Sequence, residues 1–518
     1  MIVTGYVPAG FEGEIVWVEV DIRRGIPGID IVGLADGAVK EARERVRVAL
    51  KNSGFIFPSD RILINLSPAG VRKEGAALDL SIAVSLLHSS QQIPPLKEAD
   101  GFRRVMILGE LKLSGEVRPV TGVLSAIASG LKHGITLFLV PMENLKEAAA
   151  LGTGEVYGIK TLQEAVDVLN FLIQNLKPVQ AHGINPHQKS EGRDELDFAE
   201  IKGQELLKRA LEIAAAGLHH VFIFGPPGSG KTMAARRFPT VMPDLDWNDS
   251  VTVTRIHSLA GNLSPDTGLI SRPPFRSPHH SASQEGLIGG GRYVRPGEVS
   301  LAHRGVLFLD EATEFKKNIL QALREPLEDG RVDIARAGSN FWFPARFQLI
   351  LAANPCPCGN LGRDDSVCLC SSAEILAYWK KIGGALMDRI DIRIPVKPVP
   401  VEELLQDGGE SSDSIKGRVQ QAVEIQAERF KGESFNRNSR ISPGKLNYYC
   451  PLGREPREVF ASAVKKLSLS SRACHSILKL ARTIADLEAA HNIGPYHLLE
   501  AVQHRRYGDR DFFWHQFM

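Results

Sequence analysis

From Glu12 to Arg23 apolar and polar residues alternate, with Val16, Val18, Val20 and Ile22 on one side, and Ile62, Ile64 and Leu66 repeat that period. A period of two predicts short strands, each with one face buried. Between them Val39, Ala42, Val46 and Leu50 recur at helical spacing, so residues 1–175 read as an α+β domain. Residues 176–195, "LKPVQAHGINPHQKSEGRDE", hold Pro, Gly, Gln and charge without an apolar period, and read as a linker. From 196 to 395 the apolar runs become short and continuous: "VFIF", "GVLFLD" and "FQLILAA". Such runs, separated by helical segments, predict an α/β domain whose parallel sheet is covered on both faces. Residues 396–518 are mostly helical in pattern, with a polar break at Asp407–Ser414.

A chain of 518 residues fits about three domains, and 43% apolar with 24% charged residues is enough to build real cores. A net charge of +2 neither announces a nucleic-acid binder nor excludes one acting through local basic loops. The N-terminus "MIVTGYVPAGFEG" lacks the basic start and apolar core of a signal peptide, and no apolar run approaches bilayer length. The expectation is a cytoplasmic protein without a membrane partner, in which clustered thiols point to a metal more than to disulfides.

Chemistry enters with "GPPGSGKT", Gly225-Pro226-Pro227-Gly228-Ser229-Gly230-Lys231-Thr232, which follows the strand "VFIF" and precedes a helix-compatible run. This is the phosphate-loop pattern. Glycines let backbone N–H groups close on phosphates, Lys231 reaches the β and γ oxygens, and the Thr232 hydroxyl can ligate Mg²⁺. In "GVLFLDEATEF" an apolar run delivers Asp310 and Glu311 to a strand's C-terminal end, where open parallel sheets bind ligands. Asp310 is suited to hold Mg²⁺ through water and Glu311 to polarise the attacking water. A third strand ends at Asn354, whose amide can orient water against the γ-phosphate.

The order phosphate loop, Asp-Glu, Asn is the signature of the AAA+ ATPases, which residues 196–395 resemble. That resemblance implies further roles. Arg389, in "ALMDRIDIRIPV", is similar to the finger that AAA+ subunits insert into a neighbour's site, and Arg472, in "LSSRACHSILKLARTIADLEAA", to the lid arginine that senses γ-phosphate. A finger in trans implies a homo-oligomeric ring, a hexamer in most such proteins, with 396–518 as its helical lid. The stretch "PPFRSPHHSASQEGLIGGGRYVRPGEVSLAHRGVLFLDEATEF" looks like the magnesium-chelatase-like branch, and 79 positions between Lys231 and Asp310 leave room for an inserted hairpin. There Arg292, Tyr293 and Arg295 suit either a pore loop on nucleic acid or a packed structural loop. The neighbouring His279 and His280 are expected to pack or hydrogen-bond locally. With "NPCPCG" and "ARTIADLEAA" the match tightens to the YifB/ComM family. The resemblance covers nearly the whole chain and implies ATP-driven branch migration of DNA in recombination or natural transformation, on branched or single-stranded DNA.

"LSPAGVRKEGAALDLSIAVSLL" and "GELKLSGEVRPVTGVLSA" resemble the Lon protease domain, but Ala77 stands at the serine position and Leu124 at the lysine position. Neither supports acyl transfer. By analogy with the Lon-like domain of the RadA recombination proteins, this favours DNA work. A protein-remodelling chaperone and a metal-chelatase motor subunit are the alternatives.

Cys356, Cys358, Cys368 and Cys370 follow Asn354 as C-x-C-x₉-C-x-C. Four thiolates suit a closed tetrahedral Zn²⁺ site of structural type, with reduced, unliganded thiols as the alternative. Cys450 and Cys474 read as small core residues.

Overall fold

The computed structural model describes residues 1–95, 97–98, 101–173, 196–291, 293–336, 339–363, 366–404, 408–505 and 507. The linker 176–195, Arg292 and nearly all of the aromatic C-terminal tail lie outside them.

The N-terminal domain is built on strands β1 (Ile2–Ala9), β2 (Glu12–Arg23), β3 (Gly28–Val32), β4 (Arg61–Ser67), β5 (Arg104–Ile107), β6 (Leu137–Pro141) and β7 (Glu155–Ile159). They form one mixed sheet in the order β7-β6-β5-β1-β2-β4-β3. Helix α1 (Gly37–Asn52) starts where the Asp36 carboxylate accepts the Val39 N–H, and it buries Val39, Ala42, Val46 and Leu50, the residues at helical spacing. Helix α2 (Asp79–Ser89) lies under the same sheet with its leucines and valines fully buried. Its first residue, Asp79, is itself buried and takes two hydrogen bonds from Arg45, at 2.8 and 3.0 Å. Helix α3 (Val123–Lys132) opens after Gly122.

The central domain starts with helix α4 (Glu205–Gly217) and strand β8 (Val221–Phe224). Helices α5 (Lys231–Arg237) and α6 (Trp247–Ala260) follow, then strands β9 (Phe275–Arg276), β10 (Gly289–Gly290), β11 (Arg295–Pro296) and β12 (Val306–Leu309). Helix α7 (Arg324–Asp329), strands β13 (Arg331–Arg336), β14 (Ser339–Pro344) and β15 (Gln348–Ala353), helix α8 (Ser372–Lys380) and strand β16 (Ile392–Pro395) complete it. Five strands pair in parallel in the order β9-β12-β15-β8-β16. β8, β12 and β15 are buried along their whole length, which is why each is written as a continuous apolar run.

Two antiparallel hairpins project from this domain. β10–β11 pairs Gly289 with Pro296 and Gly290 with Arg295, the hairpin for which the long interval before Asp310 left room. β13–β14, a six-residue ladder from Arg331–Pro344 to Arg336–Ser339, was not expected. Its alternation of Val332 and Ile334 against Phe341 and Phe343 was legible but short. The second hairpin joins the two domains. The Phe11 N–H donates to the Trp342 carbonyl at 2.9 Å, their rings lie 5.3 Å apart, and Gly10, at φ +70°, lets the backbones close. From α6, Arg255 donates to the Phe11 carbonyl at 3.1 Å, sits 4.1 Å over its ring and approaches Glu12 at 3.3 Å. The buried Glu147 accepts from Ser258 of α6 and from the Leu124 N–H, and burial pushes its carboxyl up.

The C-terminal helices are α9 (Ser412–Arg429), α10 (Arg454–Leu467), α11 (Ser471–Leu487) and α12 (Pro495–Arg505). α9 begins inside the expected polar break, because the Ser411 hydroxyl caps it by accepting the Ser414 N–H. α9 and α11 pack on α4 through Val419, Ala422, Ile477, Leu480 and Ile484, so this domain shares a core with the central sheet. Cys450 is buried in that core, whereas Cys474 is half-exposed.

Candidate nucleotide site and arginine edge

The phosphate loop leaves β8 at Phe224 and enters α5 at Lys231. Its root is fixed on both sides. The Gly225 N–H donates to the Ala353 carbonyl of β15 at 3.2 Å, and the Val396 N–H beyond β16 donates to Phe224 at 2.8 Å. A Cβ on Gly225 would fall 2.1 Å from the Val396 carbonyl, so only glycine fits there. Gly228 and Gly230 hold φ of +79° and +85°, the left-handed conformation that turns the loop into the helix. Ser229 is buried and its hydroxyl closes the loop on the Pro226 carbonyl at 2.8 Å.

Lys231 is 8% exposed. Its ammonium donates to the Gly225 and Pro226 carbonyls, both at 2.8 Å, and lies 3.4 Å from the Asn354 amide oxygen. Burial lowers its pKa to about 8, against the opposing pull of Asp310 and Glu311. The Thr232 hydroxyl donates to the Asp310 carboxylate at 2.6 Å. Asp310 also accepts the Glu311 N–H at 3.0 Å. Glu311 itself sits at φ +50°, a strained conformation for a non-glycine residue. Thus Lys231, Thr232, Asp310, Glu311 and Asn354 meet at the C-terminal ends of β8, β12 and β15. Two oxygen ligands in contact, Thr232 and Asp310, fit a hard divalent cation.

Two neighbours of this site were not foreseen as such. Gln204, ahead of α4, donates to the Ser229 and Lys397 carbonyls at 3.3 and 2.6 Å, bracing the loop from outside. His280 has its ring 4.1 Å from that of His279, the local packing expected of the pair, but its Nδ1 also lies 3.7 Å from Glu311. A histidine far from Glu311 in sequence gives no sign of that proximity.

Arg389 and Arg472 are not at this site. Arg389 precedes β16 and Arg472 opens α11, both beside the N-terminal ends of the strands, across the sheet from the phosphate loop. There they share one carboxylate, Glu328 of α7: Arg389 pairs with it directly and Arg472 lies 3.7 Å away. The Arg389 Nε is buried without a hydrogen-bond partner among the described residues. Burial, then Arg472, then Arg324 pull Arg389 below the ordinary arginine range. Positive charge on this edge therefore exceeds what one glutamate neutralises. Glu328 carried no signal in the sequence.

Cys356, Cys358, Cys368 and Cys370 come together, with all four sulfurs within 4.8 Å of one another and the nearest pairs at 3.3 and 3.6 Å. Tetrahedral Zn–S bonds of 2.3 Å place sulfurs about 3.8 Å apart, so the cluster has the right size. The Asn360 N–H brings the Cys358 thiol down to about 6, while the other three are raised, burial being the largest cause for Cys356 and Cys368. A divalent cation bound here would hold all four as thiolates.

On hairpin β10–β11 Tyr293 and Arg295 are exposed. Leu124 is buried in the first turn of α3, and the Ala77 carbonyl accepts the Gly109 N–H. Neither side chain carries a nucleophile or base.

Three family models match in sequence: "Subunit ChlI of Mg-chelatase" over residues 18–144, "Magnesium chelatase, subunit ChlI" over 197–404 and its C-terminal region over 409–505. Competence protein ComM of Haemophilus influenzae is 38% identical over 500 residues, covering 96% of this chain and 95% of that protein. YifB of Escherichia coli is 38% identical over 501 residues, with the same coverage. The 38 kDa magnesium-chelatase subunit of Rhodobacter capsulatus is 30% identical over 176 residues, 30% of this chain and 50% of that one. No helix among the described residues is long and apolar enough to cross a membrane. Near-complete coverage by ComM and YifB, against 30% coverage by the chelatase subunit, places the chain in the YifB/ComM family of magnesium-chelatase-like AAA+ proteins.

Proposed function

We propose that this protein is an ATPase that works as a homo-oligomeric ring, a hexamer by analogy with its class, and couples hydrolysis to the remodelling of branched or single-stranded DNA. One observation carries the ring: Arg389 and Arg472 stand across the sheet from Lys231, on an edge with surplus positive charge. Arginines so placed serve a γ-phosphate only on another subunit. The Lys231 ammonium would exchange its carbonyl partners for phosphate oxygens, Thr232 and Asp310 would hold Mg²⁺, Asn354 would orient water and Glu311 would polarise it. When bound, the cation would supply charge neutralisation on the transferring phosphoryl group. One Zn²⁺ on the four cysteines is part of this reading. The N-terminal domain is read as a Lon-like scaffold without its dyad, since Ala77 and Leu124 leave it no catalytic group.

For DNA, the support is the competence-protein relative and the exposed Tyr293 and Arg295 at a Gly-rich hairpin, a pairing that suits stacking and phosphate contact. The test is migration of a synthetic three- or four-way junction with Mg²⁺-ATP, with Lys231→Ala as control. The expected result is ATP-dependent migration, steeply weakened by salt. Rings that hydrolyse ATP yet neither move nor respond to DNA would turn the reading to protein remodelling.

A further inference from the structure

The four-cysteine loop touches the phosphate loop. Gly359, at φ +79°, lies so close to Pro227 that a Cβ there would stand 3.1 and 3.4 Å from its ring atoms. The inner end of the cysteine loop is well anchored. Trp379 of α8 donates to the Pro355 carbonyl at 3.1 Å and packs edge-on against Phe222 and Phe224 of β8, at 5.4 and 5.8 Å. Cys356 is fully buried.

The outer half is set at the surface. Its large apolar residues, Val367 and Leu369, are 77% and 89% exposed and contribute nothing to a core. Two backbone turns, Gly359 to Cys356 and Arg363 to Asn360, shape it locally. Cys368 and Cys370 return over Cys356 and Cys358 where the sulfurs converge, with the Cys358 N–H on the Cys370 sulfur. A bare thiol cluster is a weak tether, whereas four metal–sulfur bonds are a strong one.

We propose that zinc on these four cysteines braces the phosphate loop through the Gly359–Pro227 contact, so that metal loading sets the affinity for nucleotide. This rests on the zinc reading given above. It goes further by assigning the metal an effect on ATP binding, beyond holding its own loop. Removing the metal frees the outer loop, releases Pro227, and lets the 225–230 backbone sample conformations that do not present its N–H groups together.

The experiment measures zinc by elemental analysis and nucleotide affinity with a ribose-labelled fluorescent ATP analogue in excess Mg²⁺, on the full-length protein. Three samples are compared: as purified, stripped with 1,10-phenanthroline, and re-loaded with ZnCl₂. Gly359→Ala, which leaves every ligand in place, is the fourth. The expected result is about one zinc per chain and about tenfold weaker binding after stripping, equivalent to about 1.4 kcal/mol. Re-loading should restore affinity, and Gly359→Ala should keep its zinc yet bind more weakly. Protein isolated without zinc and unable to take it up would overturn the zinc reading itself. Zinc present, but with affinity unchanged both on stripping and in Gly359→Ala, would overturn the brace alone. Circular dichroism of the stripped sample separates both from unfolding: loss of the helical signal would make the metal a folding element and overturn the brace.

Discussion

Lys231 shows how burial and function oppose each other at one atom. Held at a pKa of about 8 by its dry surroundings, it is charged at neutral pH and loses its proton as pH rises through 8. Triphosphate beside it must raise that value. Binding above pH 8 is therefore coupled to proton uptake and weakens as pH rises, whereas near pH 6.5 this lysine adds no linkage. Titration calorimetry at pH 8.5 in two buffers of different ionisation enthalpy should give different apparent enthalpies. Identical values would show that the ammonium stays charged throughout. Glu311 makes the complementary case, since its carboxylate contacts neither Lys231 nor Thr232. Glu311→Gln should leave nucleotide affinity within a few-fold and cut turnover by about 10² or more. Parallel loss of both would assign Glu311 to binding instead.

At the scale of elements, what the sequence shows and what it hides divide along physical lines. The period-two runs of β2 and β4, the helical spacing of α1 and the unbroken apolar runs of β8, β12 and β15 declare their burial, because a face or a whole strand must be apolar to be covered. The phosphate loop is legible because its glycines are demanded by local geometry, at Gly225 by a carbonyl 2.1 Å away. Glu328, His280 and Gln204 are illegible for the converse reason. Each is an ordinary polar residue whose partner is set by tertiary folding: Glu328 lies 61 positions from Arg389, and His280 reaches Glu311 from another segment. The docking of the two domains is likewise hidden. Arg255 is buried among the Phe11 carbonyl and ring, Glu12 and Ser125. Arg255→Ala should loosen that docking by about 2–4 kcal/mol, since charged hydrogen bonds and a desolvated cation–π contact go together. Hydrogen exchange should then speed up at the Phe11 N–H and leave β8 and β15 protected. Exchange rising equally in all three would mean global destabilisation.

For the whole molecule, the separation of Lys231 from Arg389 makes a prediction that no single-site account shares. Arg389→Ala rings and Lys231→Ala rings should each be inactive, the first for want of a finger and the second for want of a site. Mixed rings bring some intact sites against intact fingers and should recover a measurable fraction of turnover. Mixed assembly confirmed by differential tagging, with no recovered activity, would exclude action between subunits.

The distance between those two groups is spanned by very little chain. β8 and β16 are four residues each, about 13 Å long, and lie side by side in register from Val221–Ile392 to Phe224–Pro395. One end of this pair is clamped to the phosphate loop through Phe224 and Val396, and three residues before the other end stands Arg389. Backbone that is buried, parallel-paired and this short does not bend. Were the loop to tilt on loading ATP, this pair would carry the tilt to the far rim, as a rocker arm delivers the lift of a cam. In the ring proposed above, that rim would face the next subunit's site, and occupancy at one site would then bear on the timing of its neighbour.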